Sequence, residues 1–105
     1  MDEVFRALAD PTRRSILDAL YERDGHTVQS LCNLVPEMTR FGVMKHLAVL
    51  EGANLIVTKR AGRTKLHFLN PVPIGEIADR WISKYAQTFT RAMVGLRNEL
   101  ERDTA

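Results

Sequence analysis

A mainly α-helical chain carrying one β-hairpin is the fold class that this sequence predicts, from three observations. Apolar residues recur every three or four positions over most of the length, the period of amphipathic helices. Between Leu55 and Leu69 that period gives way to two short runs, LIVTKR and TKLHFL, separated by Ala61-Gly62-Arg63, which read as a hairpin. Helix-starting residues (Asp10, Thr27, Thr39) and breakers (Asp24-Gly25, Pro36, Asn70-Pro71) divide the remainder into segments of helical length.

At 105 residues a single domain over 1–105 is expected, and a 45% hydrophobic content supplies a core. A chain this short often gains stability from an oligomer interface. No run of about 18 apolar residues is present, so no membrane span is expected. The opening MDEVFRALAD is acidic and amphipathic, unlike a signal peptide. One cysteine excludes an intramolecular disulfide, and a cytoplasmic location fits.

Val4, Phe5 and Leu8 form a short apolar stripe, so residues 2–9 are expected to be helical. Asp10 caps a second helix and Pro11 suits its first turn, where a missing N–H costs nothing. Ile16, Leu17, Leu20 and Tyr21 are its expected buried face, and Asp24-Gly25 follows its end. Thr27 caps a third helix, with Val28 and Leu31 inward and Leu34-Val35 closing it. After Pro36, Thr39 caps a fourth, whose buried stripe is Val43, Leu47 and Leu50. Asn54 tolerates the left-handed conformation that ends a helix, so Ala53-Asn54 closes it. The last helix is expected from about Ile74 to Leu100, roughly 40 Å at 1.5 Å per residue. Its stripe includes Ile74, Ile77, Trp81, Tyr85, Phe89 and Leu96, and exceeds what a domain of this size covers alone. A second copy of the chain is therefore expected to cover it, together with the first helix.

Charge is polarised along the chain. Residues 38–65 hold Arg40, Lys45, Lys59, Arg60, Arg63 and Lys65 against one acid, Glu51, a net +5, while the remainder carries −3. A basic face on an acidic body points to a polyanion. Two helices joined by a short turn over 27–51, followed by a basic hairpin over 55–69, describe a winged helix-turn-helix. Arg40, Phe41, Met44 and Lys45 fall largely off the buried face of the fourth helix, where a core would not use them.

Three segments carry a resemblance to a known family. LADPTRRSILDAL (Leu8 to Leu20), TRFGVMKHLAVLEGANLI (Thr39 to Ile56) and GRTKLHFLNP (Gly62 to Pro71) resemble, in order, the second helix, recognition helix and wing of the ArsR/SmtB regulators. MTRFGVMKHL with DRWISKY (Asp79 to Tyr85) resembles a subgroup often encoded beside START-like (SRPBCC) proteins. The resemblance implies a homodimeric repressor on double-stranded DNA with an inverted-repeat operator. It puts the DNA contacts on Thr39, Arg40, Phe41, Met44 and Lys45, with Arg63 at the wing. Phe41 and Met44 stand where many relatives have small polar residues; they fit contact with thymine methyl groups, and Phe41 alternatively packs under the preceding turn. The dimer residues expected are Val4, Phe5, Trp81, Tyr85, Phe89 and Leu96, on helices 2–9 and 74–100.

The family is known for metal sensing, and here the sequence departs from it. Cys32 has Leu34 where the family's second cysteine stands, and the last helix holds no histidine. His26, His46 and His67 fall in a loop, a helix and a strand, and are not expected to converge. No metal site and no cofactor is expected. Cys32 reads as a small apolar residue, with a thiol sensor as the alternative. Trp81, Tyr85 and Phe89 read as packing residues, with an apolar effector pocket near the dimer seam as the alternative. No phosphate loop or nucleophile elbow is present, so an enzyme is not expected. A winged helix that binds only protein would show an uncharged outer face, against Arg40, Lys45 and Arg63. The effector is unknown from sequence.

Overall fold

Side-chain oxygens mark the helix starts in this computed structural model, which describes residues 1–104. Helix α1 spans Asp2–Leu8 and α2 spans Pro11–Glu22. Asp10 caps α2, accepting from the Arg13 amide at 3.0 Å. Helix α3 spans Val28–Leu34 and α4 spans Arg40–Gly52. Thr27 accepts from the Ser30 amide, and Thr39 from the Gly42 amide, both at 3.0 Å. All three are the caps expected from sequence.

The end of α4 is equally well defined. Asn54 adopts φ 61°. Its amide donates to Glu51 O and the Leu55 amide to Leu50 O, both at 3.0 Å, which is the Schellman arrangement. The apolar contact that usually accompanies that motif falls to Leu50 and Leu55, both fully buried. The exit of α4 into the hairpin is thus held by backbone bonds and by the core.

Strands β1 (Ile56–Ala61) and β2 (Thr64–Leu69) pair antiparallel, with Ile56 opposite Leu69 and Ala61 opposite Thr64. The loop is two residues, Gly62-Arg63, rather than the three expected, because Gly62 takes φ 65° and closes the turn one residue earlier. A further pairing went unforeseen: His26 forms a one-residue antiparallel bridge to His67. The His67 amide donates to His26 O at 2.8 Å and the His26 amide to His67 O at 3.2 Å. The expectation that the histidines stay apart therefore fails for this pair, because the loop before α3 runs along the free edge of β2.

Two compact units divide the chain, one over residues 1–73 and one from Ile74 onward. In the first, Ile16, Leu17, Leu20, Leu31, Val43, Leu47, Leu50 and Leu55 are buried. Tyr21, expected beside Leu20, is instead 81% exposed. It extends the apolar run by one residue past the angular width that the neighbouring helices cover.

The final helical stretch differs from its expected form in two ways. It begins with α5 at Val72–Ile77, two residues early, because Asn70 Oδ1 accepts from the Val72 amide at 3.3 Å and Pro73 falls in the first turn. A π-helical turn, Ala78–Ile82, then separates α5 from α6, Ser83–Thr104. On α6 Tyr85 and Phe89 are each 66% exposed, and Met93 and Leu96 are nearly half exposed. No described helix is long and apolar enough to cross a membrane.

His26 and His67 are both buried. His26 Nδ1 lies 2.8 Å from Ser30 Oγ, and His67 Nδ1 lies 2.9 Å from His26 O. Burial, then the Arg23 charge, lowers the His26 pKa below the ordinary 6.5. A neutral imidazole is thus favoured by the folded state. The unfolded chain takes up the proton first as pH falls below 6.5, so that stability is full above this value and is lost on acidification toward the lowered pKa. The thermal midpoint is expected to fall between pH 7 and pH 5, less so in His26→Asn. Equal pH slopes in the two proteins would remove His26 as the cause.

Candidate nucleic-acid interface

The outward side of α4 follows from the inward one. Val43, Leu47 and Leu50 are buried, so residues about 100° to 200° away around the helix face outward. Phe41 is 70% exposed and Met44 is 50% exposed. That exposure removes the alternative in which Phe41 packs under the preceding turn. Lys45 Nζ lies 5.3 Å from the centre of the Phe41 ring, within cation–π range, so ring and ammonium stand together one helical turn apart. Thr39 caps the helix, and its hydroxyl hydrogen stays available to donate. Gly42 serves the same corner: a Cβ there would come within 2.8 Å of the Met38 side chain and 3.4 Å of Thr39 Oγ1.

Arg40 is held across the turn, donating from Nη1 to Gln29 Oε1 on α3 at 3.1 Å. Its other guanidinium donors are left for a ligand. Gln29 escaped sequence analysis, since nothing local marks it; only the fold brings positions 29 and 40 together. Arg40 and Arg63 line one cleft of about 440 Å³, with Thr27, Val28, Gln29, Thr64 and Lys65. The cleft thus joins the first turn of both helices of the helix-turn-helix to the hairpin tip, with basic side chains on two sides.

The hairpin carries its charge under strain. Arg60 sits directly opposite Lys65 in the register, a like-charge pair that destabilises a sheet. Glu51 offsets part of it, lying 3.3 Å from Lys65 Nζ and 3.8 Å from His67 Nε2. A polyanion laid against the hairpin would relieve the remainder.

The other expected site residues are placed as follows. Val4 is buried, Phe5 is 45% exposed, and Trp81 is half-buried in the stretch before α6. Tyr85, Phe89 and Leu96 lie along α6, where Ile82, Phe89 and Leu96 recur at seven-residue intervals. Cys32 is a half-buried free thiol on α3. The donor set does not fit a metal: among the described residues no group of three or more His, Cys, Asp or Glu side chains is placed to share one.

Comparison with known proteins bears on what this surface does. A family profile described as a helix-turn-helix domain matches residues 8–59. The chain is 40% identical over 86 residues to the uncharacterized HTH-type transcriptional regulator YuzN of Bacillus subtilis (strain 168), covering 77% of this chain and 94% of that protein. A crystal structure of an ArsR family transcriptional regulator superposes with a TM-score of 0.70 at 30% identity, over 85% of this chain and 89% of that one. An ArsR-like transcriptional regulator from Rhodococcus sp. RHA1 superposes with a TM-score of 0.73 at 26% identity, over 95% and 89% of the two chains.

Proposed function

The chain belongs to the ArsR family of helix-turn-helix transcriptional regulators, and on that premise we propose that this DNA-binding protein is a homodimeric repressor acting at an inverted-repeat operator. Repression follows from occupying an operator that overlaps a promoter, in the cytoplasm. Helix α4 enters the major groove, where Arg40 and Lys45 reach base edges or phosphates and Phe41 and Met44 meet thymine methyl groups. Thr39 donates to the backbone, and Arg63 follows the adjacent phosphates or minor groove. The observation that carries the reading is the cleft shared by Arg40 and Arg63, beside an outward face bearing Phe41, Met44 and Lys45.

The dimer is supported by the exposed apolar side of α6. Its 22 residues extend about 33 Å, and large apolar side chains repeat along it at the spacing of a helix-helix seam. A two-fold seam of α6, with Phe5 of α1 beside it, would separate two recognition helices by about 34–36 Å, one turn of DNA. The paired half-sites of an inverted repeat follow from that symmetry.

The test is binding to a duplex selected from a random pool. Arg40→Ala and Lys45→Ala are expected to weaken it by about 1–3 kcal/mol each and to relax preference at one position of each half-site. Arg63→Ala is expected to cost affinity on all sequences alike and to lower the salt slope by about 1. Wild-type affinity in all three variants would end the assignment of this face.

A further inference from the structure

The recognition helix is secured on both flanks of its buried stripe. On one flank, Arg40 is bonded to Gln29 of α3, and Glu51 pairs with Lys65 of β2. On the other lies His46, whose Nδ1 is 3.2 Å from Arg13 Nη1 of α2. A guanidinium has only donors, so Nδ1 accepts and the imidazole carries its hydrogen on Nε2. The same guanidinium donates from Nε to Ala7 O at 2.8 Å and from Nη2 to Arg6 O at 3.0 Å. Those carbonyls belong to the last turn of α1, where no intrahelical partner exists for them. Asp10 Oδ2 stands 3.9 Å from His46 Nδ1 and accepts from the Arg13 amide, which holds the corner from below.

An apolar stripe resists withdrawal of a helix but resists rotation about its axis weakly, since apolar contact has no preferred direction. Directional bonds on opposite flanks fix that angle. We infer that Arg13 and His46 are positioning residues for DNA recognition: one guanidinium ties the end of α1 to α4 and sets the rotation at which Phe41, Met44 and Lys45 face the groove. This rests on the DNA-reading role of α4 proposed above. Neither residue lies on the outward face, so their effect is on sequence preference rather than on charge. It also makes the last turn of α1 a place from which the aim of α4 is altered.

The test compares Arg13→Ala, His46→Ala, their double variant and His46→Asn, whose Oδ1 stands where Nδ1 does. Binding is measured to the selected operator and to a random duplex of equal length. Each Ala variant is expected to lose about tenfold on the operator and less than about twofold on random DNA. The double variant is expected to lose no more than the worse single one, as a shared bond requires. His46→Asn restores operator affinity. Equal losses on both duplexes, additive losses, or failure of His46→Asn to rescue would overturn the proposal. A second readout needs no DNA: exchange of the Arg13 Nε–H with solvent, followed by nuclear magnetic resonance. It is expected to be slow in the wild type and His46→Asn, and at least about tenfold faster in His46→Ala. Unchanged exchange in His46→Ala overturns the link between α1 and α4. A wild type that prefers no duplex overturns the regulator reading, and with it the recognition role of Arg13, while the exchange rates still decide the link itself.

Discussion

Phe89→Glu and Leu96→Glu are expected to yield folded monomers that bind the operator at least about a hundredfold more weakly than the wild type. Phe89 is 66% exposed and Leu96 is 49% exposed in the protomer, so a carboxylate at either site leaves the buried residues of the first unit untouched. In a two-fold seam each substitution acts twice. Burying one such side chain is worth about 1.5–3 kcal/mol, so a pair removes about 3–6 kcal/mol of association before the cost of the introduced charges. Two acids facing each other across an apolar seam add repulsion and desolvation. The half-sites are then bound independently, and the advantage of joining them is lost. Sedimentation at micromolar concentration, with circular dichroism as the control for folding, measures the first part, and operator titration the second. A charged variant that remains dimeric would remove α6 from the interface. A folded monomer with wild-type operator affinity would remove the need for a dimer.

Leu50→Ala is expected to destabilise the first unit by about 2–5 kcal/mol, against a total of about 5–15 kcal/mol for a domain. Leu50 is fully buried, its carbonyl accepts from the Leu55 amide, and its side chain occupies the position that packs against Leu55. Truncation opens a cavity where α4 hands over to β1, so both the recognition helix and the wing lose their common support. Val49→Ala, one position away and on the exposed side, is expected to change stability by less than about 0.5 kcal/mol. Urea denaturation of the two variants measures the contrast. A Leu50→Ala loss below about 1 kcal/mol would show that this corner is able to collapse and is less tightly packed than its burial implies.

What was legible in the sequence was local chemistry. Asp10, Thr27 and Thr39 cap helices because their side chains reach amides three residues on, and Asn54 ends one because it tolerates a positive φ. The stripe of Val43, Leu47 and Leu50 needed only its spacing. Exposure of Phe41 and Met44 followed by subtraction. The contacts that escaped join distant positions through side chains with no local signature. His26 bridges His67, Gln29 holds Arg40, and Arg13 reaches His46, 33 residues on. His67 shows the difficulty: in TKLHFL, Leu66 and Phe68 look like the inward pair, yet His67 is the buried residue. Its polar atoms find His26 O and Glu51, which only the folded chain brings near. Tyr21 failed in the opposite sense, since apolar spacing states which side of a helix is available for burial and not how wide a side its neighbours cover.

The π turn at Ala78–Ile82 acts as a phase setting for everything after it. A π turn holds one residue more per hydrogen-bonded loop than an α turn, and each residue of a regular helix advances the direction of a side chain by about 100°. A chain one residue shorter here would run as unbroken α-helix, and Tyr85, Phe89 and Leu96 would swing by that angle relative to Ile74 and Ile77. Two chains otherwise alike, one with the extra residue and one without, would present mismatched seams. Chain length at a single turn then separates compatible from incompatible subunits in a cell that holds several such regulators, without any change in the residues that touch.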